Sequence, residues 1–415
     1  MKIKNSFINT SHFIQKTLLA ASLMFVTVHA INAEENFSEF EPMDVFDLEW
    51  ASDPRVSPDG KTIVYVRKSN DIMKDRERSN LWQVSTDGSD HRPLYSGLNS
   101  IKSPRWSPNG EKLAFISNDT GSQQIHVRWF DSGDTAVISQ LQASPSNLSW
   151  SPDGKWLAFT MNVKVPTKSI AEPRAKPEGA TWAKKPITVT TTRYQYDGQG
   201  IVEPAYRHVF IVPADGGTSR QLTEGNFNHY GSLTWSPNSD QVFFSAYRSD
   251  DWELVSDEAD IYSVNISTKK LTQITNQSGA ERSPVISPNG RLIAFIKEER
   301  RPLAYTPDQI AIMDLNGENI LILSEALYGV ASNLLWAGNS QELYYTYDER
   351  GIRKIGQATI KGSLRPVIKG VGGTTIGRPY LSGGFHANNG TLAFTHGTSD
   401  QPANIAIIQD DQAQI

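Results

Sequence analysis

Short hydrophobic stretches alternate with polar turns along most of the chain, and one turn motif precedes five of these stretches. The motif is Ser-Pro-Asp-Gly or a close variant, and it begins at Ser57, Ser107, Ser151, Ser236 and Ser287. Ser, Pro and Gly suit positions i, i+1 and i+3 of a type I turn. A triplet such as Leu113-Ala114-Phe115 follows, in which successive side chains point to opposite faces of a strand. The pattern therefore predicts tight turns that each lead into a strand.

Further strand-like segments complete each unit. A second apolar segment follows the triplet, for example Val209-Phe210-Ile211-Val212, and a short outer segment such as Lys270-Leu271-Thr272 closes the unit. Weaker copies at Ala337 and His386 raise the count to seven, with steps of 50, 44, 85, 51, 50 and 49 residues. This repetition predicts an all-β fold, a seven-bladed β-propeller of four-stranded antiparallel blades. The alternative, a β-sandwich, does not repeat its turn chemistry seven times.

The long third step contains an insertion at about 162–206, whose composition differs from that of its neighbours. Lysine and proline are interleaved through it, at Lys164, Lys168, Lys176, Lys184, Lys185, Pro166, Pro173, Pro177 and Pro186. Such a composition favours an exposed, partly extended loop, and residues 190–198 resemble a strand followed by a turn. Two interpretations stay open: an arm that contacts substrate or a second copy of the chain, and a solvated surface loop.

Residues 1–33 have the pattern of a secretory signal peptide. Lys2, Lys4 and Lys16 precede an apolar run, and small residues follow at Ala30 and Ala33. Because the run is too short for a stable transmembrane span, we expect cleavage after Ala33 and a periplasmic or secreted product. Ala30 is the alternative cleavage site, and an uncleaved membrane anchor is the alternative fate.

Residues 34–56 are predicted to connect the signal peptide to the propeller. Pro42 suits the first turn of a short helix, and Met43, Phe46 and Leu48 would form its apolar stripe beside the first blade. The propeller itself is expected to span residues 57–415.

Composition excludes several classes of function. The chain has 415 residues, of which 38% are hydrophobic, so it can bury a large core. It contains no cysteine, which excludes disulfide and thiolate chemistry. The formal net charge is −5, and removal of 1–33 with its three lysines leaves 37 basic and 45 acidic side chains, or −8. Such a surface has no general attraction for nucleic acid or anionic lipid.

Charged clusters offer few candidate sites. The acidic residues between Asp250 and Asp260 lack the spacing of a calcium loop, and the histidines lack the spacing of a zinc site, so no metal or cofactor is predicted. The acidic run is interpreted as a solvated loop. By their chemistry, the strongest anion-binding candidates are Arg248, Arg282, Arg300 and Arg301. The competing interpretation is that these arginines form surface or inter-blade salt bridges.

Two segments are similar to a known family. Residues 47–61, which include Asp53-Pro54-Arg55-Val56-Ser57, form the first segment; Tyr194-Gln195-Tyr196-Asp197-Gly198, followed by residues 208–210 and 216–223, forms the second. They resemble the opening and the middle of propellers in the prolyl oligopeptidase family of serine peptidases, in the acylaminoacyl-peptidase and dipeptidyl-aminopeptidase branch. The resemblance covers essentially the whole chain after the signal peptide.

In that family the propeller covers an α/β-hydrolase domain, restricts access of large substrates and helps to bind a peptide terminus. The hydrolase domain carries a Ser-Asp-His triad with its serine in a Gly-x-Ser-x-Gly elbow. Ser219, Ser340 and Ser399 each follow a glycine by two positions, but no glycine follows them at the required position. No catalytic residue is therefore assigned, and the chain alone is expected to hydrolyse nothing. The implied partners are a peptide substrate and a hydrolase domain that this sequence lacks.

The end of the sequence adds an expectation about the last blade. Residues 405–415 align without gaps on residues 261–271, which predicts that the outer strand of blade seven begins only at Ile415 and that this blade is incomplete. We therefore expect a truncated relative of a longer peptidase. The alternatives are a free-standing binding propeller similar to the Tol-system protein and a non-functional remnant. The Tol-system protein carries an extra domain before its propeller, and only 23 residues separate Ala33 from the first repeat here.

Overall fold

A computed structural model describes residues 40–98, 100–166, 174–183, 187–301, 306–327, 329–373 and 382–409, and the backbone of 412–414. The predicted signal peptide lies outside these residues, as do Lys168, Pro173, Lys184, Lys185 and Pro186 of the insertion. The described chain forms seven four-stranded antiparallel sheets, and the first strands of successive sheets contact one another. The predicted seven-bladed β-propeller is confirmed.

Each blade is one continuous stretch of chain. Blades one and two contain β1 (Glu49–Val56), β2 (Thr62–Asp71), β3 (Arg76–Ser85), β4 (Arg92–Tyr95), β5 (Ile101–Trp106), β6 (Lys112–Ser117), β7 (Gln124–Trp129) and β8 (Thr135–Val137). Blade three contains β9 (Ser146–Trp150), β10 (Trp156–Lys164), β13 (Ala205–Pro213) and β14 (Arg220–Gln221), and its insertion holds the hairpin β11 (Gln195–Tyr196) and β12 (Gly200–Ile201). Blade four contains β15 (His229–Trp235), β16 (Gln241–Ala246), β17 (Asp260–Asn265) and β18 (Leu271–Gln273).

The last three blades follow the same plan. Blade five contains β19 (Ala280–Ile286), β20 (Leu292–Glu298), β21 (Gln309–Asp314) and β22 (Leu321–Ile322). Blade six contains β23 (Ala331–Trp336), β24 (Glu342–Glu349), β25 (Ile352–Thr359) and β26 (Leu364–Ile368). Blade seven contains β27 (Phe385–Asn388), β28 (Thr391–His396), β29 (Asn404–Gln409) and β30 (Gln412–Gln414).

The innermost strand of each blade precedes the Ser-Pro motif rather than following it. In blade one this strand is β1, which pairs with β2, so the propeller begins at Glu49 and not at Ser57. A 3-10 helix, Pro42–Phe46, lies where the sequence predicts a short helix, and none of its residues is buried. Its Val45 carbonyl accepts a hydrogen bond from the Asn70 side chain at 2.8 Å.

Blade seven corrects the prediction that its outer strand begins at Ile415. Gln409 pairs with Gln412 and Ile407 with Gln414, so β30 completes a four-stranded sheet. The gapless alignment assumed a connection as long as that of blade four, where Val264 pairs with Leu271. Only two residues connect the strands of blade seven, which is the length of a tight hairpin.

The Ser-Pro motif forms the turn that its sequence predicts. In the first copy, Gly60 N–H donates to the Ser57 carbonyl at 2.9 Å, and Thr62 N–H donates to Ser57 Oγ at 3.0 Å. The same two bonds recur in the turns that begin at Ser107, Ser151 and Ser287. The serine side chain therefore holds the start of the second strand in every one of these blades.

The turns of successive blades also touch. Gly290 has φ +68°, and a Cβ added there would lie 2.2 Å from Cγ of Pro237 in the preceding turn. Serine replaces glycine in two copies, and there Ser239 Oγ accepts from Asp153 N–H at 3.1 Å and Ser340 Oγ accepts from Asn289 N–H at 3.0 Å. The motif thus joins neighbouring blades as well as neighbouring strands.

Tryptophans that precede the motif join the inner strands. Each indole Nε1–H donates to a backbone carbonyl of the preceding blade: Trp106 to Arg55, Trp150 to Arg105, Trp235 to Ser149 and Trp336 to Val285, at 2.9–3.2 Å. Trp150, Trp235 and Trp336 are buried, whereas Trp106 is half-buried and stacks on Phe130.

The hydrophobic core is divided into seven clusters, each lying between two neighbouring blades. Among the side chains that the structure describes, the cluster between blades seven and one contains four buried residues, namely Val56, Ile63, Ala393 and Ile407. No strand is exchanged across this junction within the described sheets. The ring closes instead through hydrogen bonds such as Ala51 N–H to the Ala403 carbonyl at 2.7 Å and Thr391 Oγ1 to the Gly60 carbonyl at 3.0 Å.

Antiparallel order places the connections on two faces. The connections from first to second and from third to fourth strands form one face, which we call the turn face because it carries the Ser-Pro motifs. The connections from second to third strands and between blades form the opposite face, which we call the loop face. No helix among the described residues is long and apolar enough to cross a bilayer.

Candidate functional site

The inner strands surround a central channel with a cavity of about 770 Å³. Its lining comes from the inner strands of blades one, two, three, four and six, and from blade seven. Most of these side chains are neutral, including Asn147, Leu233 and Asn333. A cavity of this volume matches a site for a small ligand or a few peptide residues, not for a folded domain.

Irregular pairing shapes the channel wall. The pairing register shifts in the inner strands of blades one to six. A residue of left-handed conformation lies in each shift: Asp53, Ser103, Asn147, Gly231, Ser283 and Asn333, with φ between 46° and 79°. Such bulges bend a strand and change the direction of its side chains. The sequence does not reveal these bulges, because five of the six residues are not glycine.

A charged cluster lies on one side of the channel, where blades seven, one and two meet. Arg55 donates to Asp53 Oδ1 through Nε at 2.9 Å and Nη2 at 2.6 Å. Arg105 Nη1, from the next blade, lies 3.2 Å from Asp53 Oδ2. In blade seven, His386 Nδ1 accepts from Val56 N–H at 3.2 Å. The bulge at Asp53 therefore places one carboxylate between two guanidiniums.

The cluster changes the protonation of its members. Burial by itself would raise the pKa of Asp53, but the charges of Arg55 and Arg105 outweigh burial and lower this pKa to about 2. Burial and repulsion from Arg105 lower the pKa of Arg55 to about 10. Burial, with the same two arginines, lowers the pKa of His386 to about 3. At neutral pH the cluster therefore holds two positive charges, one negative charge and a neutral imidazole.

No sequence motif marks these residues as a site. Asp53 and Arg55 lie in the segment that carries the family resemblance, and Arg105 and His386 are 50 and 331 residues from Arg55 in the sequence. The available signal was a charged residue two positions before Ser57 and again two positions before Ser107. These positions lie on the channel wall once the blades assemble.

The predicted anion-binding arginines do not converge on one site. Arg248 donates to the Glu224 carbonyl at 3.1 Å, and its guanidinium lies 4.6 Å from the ring centre of Phe227. Arg282 pairs with Glu298 at 3.0 Å and with Asp308. These contacts support the salt-bridge interpretation for Arg282.

The other two arginines also have acidic partners. Arg300 Nη1 lies 3.0 Å from Glu258 Oε1, which joins blade five to blade four, and Arg301 pairs with Glu299. The structure therefore places three of the four candidates in ion pairs, two of them within blade five and one between blades.

The acidic run is not entirely a solvated loop. Asp260 is 9% exposed at the start of β17, and burial together with Glu281 and Glu258 raises its pKa to about 7. Gln273 Nε2 donates to Asp260 Oδ2 at 3.1 Å. No group of three metal-ligating side chains is found among the described residues.

The loop face exposes apolar side chains that the turn face lacks. Met73 is 87% exposed and Leu254 is 79% exposed, each in a connection between second and third strands. Further large apolar residues are exposed in or next to connections of this face: Ile72, Leu98, Trp182, Ile187, Val189, Tyr194, Tyr196, Ile201 and Ile352. No large apolar residue is exposed in the described turn-face connections. Glu253 accepts from Thr192 N–H at 3.0 Å, which ties the insertion to blade four.

Comparison with known proteins agrees with this architecture. Residues 60–170 match the family described as TolB beta propeller domain, and residues 181–300 match the Dipeptidyl peptidase IV (DPP IV) N-terminal region. Dipeptidyl-peptidase 5 of Porphyromonas gingivalis is 24% identical over 372 residues, which cover 85% of this chain and 53% of that relative. The chain is therefore similar to the N-terminal propellers of peptidases. It spans about half the length of this curated relative.

Solved structures show the same fold for the propeller. An acylaminoacyl peptidase of Pyrococcus horikoshii superposes with a TM-score of 0.67 at 16% identity, over 89% of this propeller chain and 52% of the peptidase. The propeller domain of the Trilobed protease of Pyrococcus furiosus superposes with a TM-score of 0.60 at 14% identity, over 88% of this chain and 94% of that domain. These superpositions show the fold, and the matches of the family models and curated relatives confirm the predicted resemblance to peptidase propellers.

Proposed function

We propose that the chain is the substrate-gating propeller of a periplasmic serine peptidase and acts on peptides together with an α/β-hydrolase domain. The observation that carries the proposal is the match to dipeptidyl peptidases, which extends through the propeller. The channel supports gating, because its cavity of about 770 Å³ suits a short extended peptide. The hydrolase domain supplies the serine nucleophile in this arrangement.

The loop face is the proposed contact surface for the hydrolase domain. Large exposed apolar side chains that collect on one face favour an interaction surface there. Exposed Met73, Leu98 and Leu254 belong to the connections of this face, and the described turn-face connections offer no equivalent. Strand β1 begins at the loop face and strand β30 ends there, because antiparallel strands alternate in direction.

A peptidase assay tests whether hydrolysis requires the hydrolase domain. The purified protein is incubated with dipeptidyl and acyl-aminoacyl p-nitroanilides, and release of nitroaniline is followed. We expect no hydrolysis above a buffer blank, because the sequence contains no Gly-x-Ser-x-Gly elbow. Hydrolysis that survives repurification would show that this chain carries its own nucleophile and would contradict the proposal.

The gene sequence tests whether a hydrolase domain is the partner of the propeller. Reading the DNA beyond the codon for Ile415 in all three frames should show a strand–helix pattern with Gly-x-Ser-x-Gly, followed by Asp and His. A long stretch without such a pattern would favour the second candidate, a free-standing binding propeller, which the match of residues 60–170 to the TolB propeller family supports.

Export is tested by the mature N-terminus. Because small residues at Ala30 and Ala33 follow a basic and apolar segment, we expect periplasmic protein that begins at Glu34, or at Ile31 if Ala30 is used. Mass spectrometry of the protein from a periplasmic extract gives the answer. Intact protein retained in the membrane fraction would contradict the periplasmic assignment.

A further inference from the structure

The charged cluster in the channel has more hydrogen-bond donors than its own acceptors use. Arg105 Nη1 donates to Asp53 and to the Pro104 carbonyl, and Arg55 donates to Asp53 through Nε and Nη2. A guanidinium has five N–H groups. Within the described part of the chain, no hydrogen bond uses Arg105 Nε, Arg105 Nη2 or Arg55 Nη1. Both arginines therefore offer free donors to the channel.

His386 adds a donor of a different kind. Because Val56 N–H donates to Nδ1, the neutral ring carries its proton on Nε2. The lowered pKa of His386 keeps the ring neutral throughout the physiological range. The imidazole thus presents Nε2–H without adding charge, on the wall that also carries Arg55 and Arg105.

The charge balance favours an anion. Asp53 neutralises one of the two guanidiniums, which leaves one positive charge, and the other described residues that line the cavity are uncharged. The whole sequence has a formal net charge of −5, so this positive channel wall is opposite in sign to the chain as a whole. In a partly enclosed cavity such a charge attracts anions more strongly than it would on an open surface.

We propose that Arg55, Arg105 and His386 form a carboxylate-binding site on the channel wall. The planar fork of a guanidinium matches the two oxygens of a carboxylate, and the imidazole N–H supplies a third contact. Two sources present this chemistry, namely the C-terminus of a peptide and an acidic side chain. The site rests on the proposed gating function only for the choice of peptides as ligands.

Calorimetry with three acetylated tetrapeptides tests the site. The first has four alanines and a free C-terminus, the second has glutamate at position two and an amidated C-terminus, and the third has four alanines and an amidated C-terminus. We expect at least one carboxylate peptide to bind about tenfold or more tightly than the neutral peptide. The peptide that binds identifies the source. Equal affinities would overturn the site. No binding by any of the three would reject peptides as the ligands, and the acetate measurement below then decides whether the site exists.

Two variants with opposite expected effects place the binding at this cluster. Arg105→Gln should reduce the preference for carboxylate to about twofold or less. Arg291→Gln is the matched control, because it removes the same charge from an exposed position in the turn of blade five. Asp53→Asn should strengthen carboxylate binding, because it frees the donors that Asp53 occupies. Two results would contradict the site. One is loss of the preference for carboxylate in Arg291→Gln as well as in Arg105→Gln, and the other is weaker carboxylate binding by a folded Asp53→Asn protein.

Acetate separates the site from the gating function. Acetate carries the carboxylate without a peptide, and it should raise the melting temperature of Asp53→Asn more than that of the unaltered protein. Stabilisation by acetate without peptide binding would keep the site and reject peptide gating. No difference between the two proteins would reject the site, and this measurement remains valid if Arg105→Gln fails to fold.

Discussion

The two faces of the propeller are built from the same strands but from different connections. On the turn face, short motifs hold each other: Gly290 packs against Pro237, and Ser340 Oγ binds Asn289 N–H of the neighbouring turn. On the loop face, most connections are longer, and some expose side chains such as Met73 and Leu254. The turn face maintains the ring with contacts that are already satisfied. The loop face leaves apolar area available, and this contrast shows where a binding surface can vary without cost to the fold.

The largest expected effect concerns a tryptophan next to the turn face. Trp235 is 4% exposed and donates to the Ser149 carbonyl of blade three, so Trp235→Ala leaves a cavity and an unpaired carbonyl between blades. The free energy of unfolding should fall by about 3–5 kcal/mol. Trp182→Ala on the loop face, where the side chain is 51% exposed, should cost under about 1 kcal/mol. Urea denaturation measures both, and similar losses would remove the distinction between the faces.

A pair of glycines tests the turns themselves. Gly290 and Gly351 have φ of +68° and +77°, but a Cβ at Gly290 meets Pro237 whereas a Cβ at Gly351 meets nothing within 4 Å. Gly290→Ala should destabilise by about 2–4 kcal/mol, which combines backbone strain with the displaced proline. Gly351→Ala should cost only the strain, about 1–2 kcal/mol. If thermal and urea unfolding give equal losses, the turns do not depend on contact between blades.

The faces should also differ in their response to pH. Asp260, at the loop face, has its pKa raised to about 7 from an ordinary 3.8, so between these values the folded state holds a proton that the unfolded chain has released. Stability from this group is therefore lost as pH rises through about 7. Asp260→Asn should become more stable than the unaltered protein between pH 4 and pH 8, by on the order of 2–4 kcal/mol.

Asp59, in a turn, provides the control of opposite sign. A hydrogen bond from Ser57 lowers the pKa of Asp59, so its contribution is present above its ordinary value and is lost as pH falls below it. Asp59→Asn should therefore gain no stability relative to the unaltered protein between pH 4 and pH 8. Parallel urea curves at pH 4, 6 and 8 give the comparison, and a flat difference for Asp260→Asn would show that this carboxyl ionises normally.

The smallest expected effect is at an exposed leucine of the loop face. Leu254 is 79% exposed, so Leu254→Asn should change the free energy of unfolding by less than about 0.5 kcal/mol. If the loop face binds a hydrolase domain, the same change should weaken the contact between the two domains. Sedimentation or gel filtration of a protein that contains both domains would detect this as a less compact shape. A large loss of stability would instead mean that Leu254 is part of the core.

The sequence was informative where each structural element depends on nearby residues. The turn at Ser57 and the strand at Leu113 follow from local chemistry that repeats, and counting the copies yields the number of blades. Loop length was harder to predict, because two residues separate β30 from β29, whereas five residues separate the equivalent strands of blade four.

The channel wall could not be predicted for a different reason. Asp53 and Asn147 adopt left-handed conformations that their residue type does not require. The pairing of Asp53 with Arg105 joins adjacent blades, and His386 approaches Val56 only after the ring closes. Such contacts depend on the assembled ring, and a single sequence carries no direct signal for them.

The junction between blades seven and one has a mechanical consequence. Every other pair of adjacent blades is connected by the polypeptide itself. Within the described residues, this pair is held by a cluster of four buried side chains and by hydrogen bonds. The propeller is therefore a linear row of seven sheets bent until its ends meet. Separation at this junction would widen the channel and leave all seven sheets intact. The ring can therefore open between blades seven and one without the unfolding of any blade.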